Sequence, residues 1–448
     1  MDGVGILAPL RRHRDYRLVA VASLVSLLGD GFFLVAIALQ VYAVDPRPLA
    51  MSLVGIAWTG SALTCLLVGG WASDRFERRR VMVVADLVRA GAIGTLGLLS
   101  VSGNLVLWHI LVLGAVFGGA NAFFNPAATA VVPDLLPPEE LPRANAFLGV
   151  ARPAMVRLAG PAAGGLLVAV AGPGPAFLVD AATFLLSAAL LTAVRADTGG
   201  GEDAPSGLAE TRRDVAEGFA FVRAHRWCWV WLVGAATSLL LYYGPVEVLL
   251  PYVLRFELGF SEAEAARRLA LIFAAGGLGS ILVSFVVGQR GLPRRFITAM
   301  YLAEAAGVAA VAVYGLAATL LPLLAASFFL NGMFAFSEIG WTTTLQQLVP
   351  GRLLGRVSSL DWLTSLGLMP LSFGLAGPVA ALAGARPTLV VAGVGGSVVL
   401  CLLLTLPGAR APERLTAPPE PDPADALAAE PLPVRMPLDA GGARTLDS

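Results

Sequence analysis

Twelve times along this chain an apolar run of about 20 residues recurs, long enough for a helix to cross the hydrocarbon of a bilayer. The runs fall at 17–43, 50–71, 81–101, 105–132, 144–170, 175–195, 228–253, 265–288, 296–317, 320–347, 357–384 and 386–406. Nothing else in the sequence limits the fold so strongly. In lipid every backbone N–H and C=O must find its partner within the segment, and for runs of this length that means helices. With 57% hydrophobic and 14% charged residues, the chain carries more apolar surface than one soluble core could hide. The reading is an all-α membrane protein with twelve transmembrane helices.

Charge fixes the expected orientation. The connections after even-numbered spans, 72–80, 133–143, 196–227, 289–295 and 348–356, are rich in arginine. Most connections after odd-numbered spans (102–104, 171–174, 318–319, 385) are short and nearly uncharged. Arginines close to span ends are retained in the cytoplasm, so both termini are expected there, in a bacterial cell membrane. Residues 1–16 have a basic character without a cleavage site and read as a cytoplasmic N-terminus and not as a signal peptide.

Net charge is zero, which gives no sign of a nucleic-acid partner, and all 31 basic residues are arginine. A phosphate-binding P-loop needs a lysine, so no ATP site is expected on this chain. Cys65, Cys228 and Cys401 have no paired spacing, and His13, His109 and His225 are scattered. Neither a metal site nor any other cofactor is expected.

An internal repeat points to two halves. Gly69-Gly70-Trp71-Ala72-Ser73-Asp74-Arg75-Phe76-Glu77-Arg78-Arg79-Arg80 joins spans 2 and 3, and Gly288-Gln289-Arg290-Gly291-Leu292-Pro293-Arg294-Arg295 is a worn copy of it between spans 8 and 9. The expected domains are an N-terminal six-helix half at 17–195, a linker at 196–227, a C-terminal six-helix half at 228–406 and a disordered tail at 407–448. Within the linker, Leu208, Val215, Phe219 and Val222 share one face, which predicts an amphipathic helix at the membrane surface.

The first of those loops resembles the signature G-x-x-x-D-R-x-G-R-R of major facilitator superfamily transporters, with Gly70, Asp74, Arg75, Arg78 and Arg79 in register. Glu77 stands where most of that family has glycine, a departure associated with the branch containing the enterobactin exporter and related multidrug exporters. Four further stretches resemble the same branch. They are Phe124-Asn125-Pro126 with the connection through Asn145, Asp180 to Ala188, Gly160-Pro161-Ala162-Ala163-Gly164-Gly165, and the stretch from Trp341 to Ser359. The resemblance implies two pseudo-symmetric six-helix halves, alternating access around a midplane site, and a latch in which Asp74 docks on the start of span 11, expected near Val357, when the outside is open. It also implies proton-driven export of a small, largely apolar organic compound such as a drug, a natural product or a siderophore. Uptake or export of a polar metabolite is the alternative within the class, and a membrane scaffold or sensor without transport is the alternative outside it. The expected partners are that substrate, protons and lipid, with the oligomeric state open.

Ionisable side chains at bilayer depth cost a few kcal/mol each and mark pathways or paired sites. Those noted are Asp30, Asp86, Arg89, Arg152, Arg157, Glu247, Glu304 and Glu338. Asp86 and Arg89, three apart on one face of span 3, read as an internal ion pair. Glu247 and Glu338 read equally as functional acids or as side chains reaching toward headgroups. Arg152 and Arg157 read as partners of acids across the bundle or of substrate. Asp30 is the sharpest candidate for a proton carrier: it lies midway along span 1 between Gly29 and Gly31, with no basic residue within a turn, and the alternative is that it only hydrogen-bonds a neighbouring helix. Gly160, Gly164 and Gly165, beside Pro161, read as packing residues that let helix backbones approach closely.

Overall fold

The computed structural model describes residues 7–196, 198 and 208–415. Twelve helices among them are long and apolar enough to cross a membrane: span 1 Arg14–Val44, span 2 Pro48–Arg75, span 3 Arg78–Val101, span 4 Leu107–Ala130, span 5 Arg143–Ala171, span 6 Pro173–Thr192, span 7 Arg226–Glu257, span 8 Glu262–Arg290, span 9 Phe296–Leu316, span 10 Leu320–Leu348, span 11 Gly351–Ala383 and span 12 Ala385–Thr405. No strand occurs among the described residues.

The packing repeats after six helices. Span 2 lies on span 4 as span 8 lies on span 10, span 3 on span 6 as 9 on 12, and span 3 on span 4 as 9 on 10. Span 1 touches spans 5 and 6, and span 7 touches 11 and 12. Between the halves, span 2 meets span 11 and span 5 meets span 8, the same contact seen twice under the repeat.

Several helix ends differ from the lengths the apolar runs suggested, each for a local reason. Span 2 continues through Asp74 to Arg75, so the expected loop 72–80 shrinks to Phe76 and Glu77. Nothing in Ala72-Ser73-Asp74-Arg75 breaks a helix, and hydropathy sees the change to polar residues but not the continuing backbone ladder. Span 11 begins at Gly351, directly after Pro350, and not near Val357. Span 7 runs past its apolar stretch to Glu257 through a π-helical turn, Val253–Glu257, that follows Pro251. A second π-helical segment, Ala154–Ala159, follows Pro153 within span 5. A helix-interior proline withholds one N–H and crowds the preceding turn, which shifts the ladder locally toward the wider π register.

The ends of the chain are also more structured than composition suggested. In the segment after 407, Ala409 is buried and the Glu413 carboxylate accepts from the Thr298 backbone N–H at 2.6 Å, capping the start of span 9. The tail beyond 415 lies outside the described residues, as does most of the Gly-rich part of the linker. The linker helix, Leu208–Ala224, packs across the start of span 11, with Glu217 paired to Arg356 and Gly218 seated on the Arg356 backbone. Val222 is buried and Phe219 is exposed, so the two do not form one covered face; the side chains of Leu208 and Val215 lie outside the described ones.

One end of the bundle carries the N-terminal helix Ala8–Arg12, the linker helix and the segment after span 12; it is called here the terminal end. The core divides according to that polarity. Away from the terminal end a single apolar cluster draws on both halves, with Phe33, Phe117 and Phe177 from one and Tyr314, Leu330 and Leu389 from the other. Toward the terminal end each half keeps a separate cluster, around Tyr16, Met82 and Phe124 in the first and around Trp231, Tyr301 and Trp341 in the second.

The seam between spans 1 and 5 shows why glycine is required there. A Cβ on Gly160 would stand 2.7 Å from the Gly31 Cα and 2.7 Å from the Leu28 carbonyl oxygen, both backbone atoms that cannot swing away. A Cβ on Gly164 would stand 2.7 Å from the Phe32 Cα, and one on Gly165 would meet Ala270 of span 8. Gly160→Ala is expected to lower stability by about 1–3 kcal/mol through overpacking. The check is thermal unfolding of the purified protein in detergent; an unchanged midpoint would show that spans 1 and 5 can part at no cost.

Candidate functional site: buried charges around the seam between the halves

Asp30 projects from the middle of span 1, where Gly29 leaves room for side chains of span 6. A Cβ at Gly29 would collide with Thr183 Oγ1 and with Asp180 Oδ1, so the Asp180 carboxylate lies against the span 1 backbone next to Asp30. One carboxylate oxygen of each acid, Asp30 Oδ1 and Asp180 Oδ2, is buried without a hydrogen-bond partner. Asp180 is fully buried. The charges that act on Asp30 are Arg89 and Asp86 of span 3 and Arg152 of span 5. Among the described residues no basic side chain pairs with its carboxylate, and Oδ1 has no hydrogen-bond partner.

Asp180 was absent from the intramembrane acids noted in the sequence. It was visible only as the first residue of a family-like stretch, although its position inside the apolar run 175–195 is the same signal that singled out Asp30. Asp361 was missed in the same way; it sits on span 11 beside Trp341 of span 10.

Span 3 supplies the fixed base of the cluster. Arg89 is 1% exposed and Asp86 0%, and the two form a direct ion pair. The Arg89 guanidinium also donates to Asn121 Oδ1 of span 4 at 3.0 Å and lies over the rings of Phe124 at 3.9 Å and Phe184 at 4.5 Å. Two aromatic faces and one amide thus hold the guanidinium in a buried position. Three carboxyl groups (Asp30, Asp86, Asp180) and two guanidinium groups (Arg89, Arg152) therefore gather in the first half.

Arg157 lies in the π-helical segment of span 5 and bridges the halves, donating to Asn331 Oδ1 of span 10 at 3.0 Å. Gly277 of span 8 is pressed against its backbone: a Cβ there would stand 2.7 Å from the Arg157 carbonyl oxygen. Glu247 has Arg157 as its charged neighbour, and Glu338 has Asp361 and Arg157. Both acids therefore have the Arg157 charge in common. Span 7 is longer than its apolar run, which places Glu247 ten residues inside it, while Glu338 is exposed on span 10, ten residues from that span's end. Glu304, 8% exposed, lies beside Ser238 of span 7 and Ser337 of span 10 and has Glu338 as its charged neighbour.

The basic loop between spans 2 and 3 is neutralised by acids on its own half. Glu77 pairs with Arg79 at 2.7 Å and with Arg80, while Arg78 pairs with Asp134 at 2.6 Å. Glu77 is the residue before the first turn of span 3, where a negative charge also meets the positive end of the helix dipole. Gly70 has open space around it, Arg75 is exposed, and the Asp74 side chain lies outside the described ones.

Beyond the seam the halves close on each other away from the terminal end. Tyr42 OH of span 1 donates to the Val248 carbonyl of span 7, and the Gly377 N–H of span 11 donates to Ser52 Oγ of span 2 at 2.8 Å. Gly55 packs on the Phe373 ring. On the terminal side of the Arg157–Asn331 contact, no hydrogen bond or ion pair joins the two halves among the described residues. The arrangement is a bundle sealed at one end, with buried charges at its centre and a parting at the other.

Known proteins resemble this chain over most of its length. It is 27% identical over 394 residues to the multidrug efflux pump Tap of Mycolicibacterium fortuitum, covering 83% of this chain and 90% of that one. It is 26% identical over 413 residues to the enterobactin exporter EntS of Citrobacter koseri, covering 90% and 94%. A crystal structure of a mutant form of the nucleoside transporter NupG superposes with a TM-score of 0.67 at 12% identity, covering 90% of this chain and 100% of that one. The family model described as Major Facilitator Superfamily matches residues 19–365. With that match, the repeated six-helix packing and twelve helices of membrane length, the chain belongs to the major facilitator superfamily.

Proposed function

We propose that this transporter uses a proton gradient to export a small, largely apolar organic compound, and that Asp30 carries the proton. The observation that supports this most is the buried, unpartnered oxygen of Asp30 in a cluster with three carboxyl groups and two guanidinium groups. One negative charge in that cluster has no counter-charge, and a bound proton neutralises it. A carboxyl at this depth is costly unless it does something, and a group that changes charge can couple the two states of the protein to the proton gradient. Export of apolar compounds is carried over from the multidrug and enterobactin exporters among its relatives. The direct experiment is accumulation of lipophilic dyes in cells with and without the protein, with and without a proton uncoupler. Lower accumulation that an uncoupler restores supports the proposal, and an effect indifferent to the uncoupler contradicts it.

The terminal end is taken as cytoplasmic, following the arginine bias of its loops. The state seen is then inward-facing. A reporter active only in the cytoplasm, fused after Gly201 or Ser448, is expected to be active, and one fused at Gly103 silent; activity at Gly103 would reverse the assignment. The outer seal should be tunable. Tyr42→Phe removes the hydrogen bond to Val248, which is worth about 1 kcal/mol, and should raise the outward-open population about fivefold. Spin labels at Arg47→Cys and Leu258→Cys would report this as a longer distance component; unchanged distances would mean that the bond does not hold the seal. Asp74 is proposed to dock on the start of span 11 when the outside opens.

A further inference from the structure

The two basic loops of the repeat differ in one respect that the transport reading does not use. In the first, Arg78, Arg79 and Arg80 are each paired with Glu77 or Asp134. In the second, no acid occurs between Gly288 and Arg295. Arg290, Arg294 and Arg295 are all exposed there, and none makes an ion pair or a side-chain hydrogen bond among the described residues. Three unpaired arginines on one short loop repel one another and lower their energy by meeting an anion.

Beneath that loop lies an open cleft of about 570 Å³ between spans 8, 9 and 10. Its lining is divided. Val287, Phe296 and Ile339 make an apolar floor, while Thr343, Gln347 and Arg294 supply donors. Phe296 and Val287 are themselves buried, so the floor is built from the helix packing and not from mobile side chains. A cleft at the end of a membrane bundle, apolar on the side toward the helices and basic on the side toward water, matches an anion that brings its own hydrocarbon.

We propose that this cleft binds the phosphodiester headgroup of an anionic phospholipid, with Arg294 flanked by Arg290 and Arg295 meeting the phosphate, and Thr343 and Gln347 available to the glycerol oxygens. The phosphate satisfies the unpaired charge, and the first carbons of the acyl chains cover Val287 and Ile339. A free phosphate would meet the arginines but leave the apolar floor wet, which is why the lipid is the occupant assigned. The proposal needs the loop only at a headgroup layer and does not depend on proton coupling or on the direction of transport.

The test uses the full chain in phosphatidylcholine liposomes containing a trace of photoreactive phosphatidylglycerol, with cross-linked peptides mapped after irradiation. Labelling is expected in 284–296 and 339–347. Unlabelled phosphatidylglycerol should compete it away, and extra phosphatidylcholine or soluble glycerol phosphate should not. Each basic residue near the surface contributes roughly a fivefold preference for anionic lipid, so Arg290→Gln/Arg294→Gln/Arg295→Gln should cut labelling there at least about tenfold. Labelling elsewhere on the lipid-facing surface should stay the same, which also reports that the variant is folded. Equal labelling in the variant, or equal competition by phosphatidylcholine, overturns the proposal. Competition by glycerol phosphate would overturn the proposal in favour of free phosphate, and no labelling in the wild type would overturn it outright.

Discussion

Arg89→Met is expected to be the most damaging single substitution in the first half, costing about 3–5 kcal/mol, the range found when one partner of a buried ion pair is removed. Arg89 is enclosed by Asp86, Asn121, Phe124 and Phe184 and is 1% exposed. Methionine fills much of the same volume between the two rings, so the loss is electrostatic more than steric. It leaves Asp86 without its counter-charge and weakens the field that offsets Asp30 and Asp180. Adding Asp86→Asn to Arg89→Met removes the stranded charge and should recover a large part of the loss. Thermal unfolding of both variants in one detergent decides this. If the double variant is no more stable than Arg89→Met, the pair is not the electrostatic unit described here.

Asp30→Asn is expected to abolish accumulation against a gradient while leaving downhill exchange. Asparagine keeps the size of the side chain and a hydrogen-bonding oxygen, and the close approach of span 6 to Gly29 is left unchanged. What it loses is the ability to bind a proton in one state more tightly than in the other, and a ligand with no such difference shifts nothing. A pH gradient of one unit is worth about 1.4 kcal/mol per proton and supports about tenfold accumulation. In the variant the accumulation ratio should fall to about one, a loss on the order of tenfold. Reconstituted liposomes with an imposed pH gradient give the measurement, and uphill transport near the wild-type rate would pass the role to Glu247, Glu304 or Glu338. Stability should change little, which separates this effect from that of Arg89.

How much of this was legible in the sequence depends on which physical signal each feature leaves. Twelve spans were readable because a bilayer-length apolar run has few other uses. The six-helix repeat was readable because its two basic loops share a pattern, Gly70 to Arg80 and Gly288 to Arg295. Helix ends were not, since Asp74 and Arg75, or Arg352 and Arg356, are polar by hydropathy yet helical by backbone. The π-helical turns after Pro153 and Pro251 leave no signature beyond the proline itself, and they carry Arg157 to the seam and extend span 7 beyond Glu247.

The central site was only partly legible. Asp30, Arg89 and Arg157 stand out as charges in apolar runs, but which of them meet is a tertiary fact. Asp180 comes beside Asp30 because Gly29 has no side chain, and a sequence does not say which helix faces a given glycine. Arg157 and Asn331 are 174 positions apart, and nothing local announces their hydrogen bond. Glu77, by contrast, departs from the family pattern in a way the structure explains, since it pairs with Arg79 and Arg80 at the start of span 3.

The most direct test of proton-driven export follows protons and not substrate. Purified protein in weakly buffered liposomes containing a pH-sensitive dye is given a downhill gradient of a transported lipophilic compound. Antiport predicts that protons move opposite to the compound, that this movement stops when the compound has equilibrated, and that it is absent with Asp30→Asn. Downhill flux of the compound with no proton movement, or with protons moving in the same direction, would contradict the account.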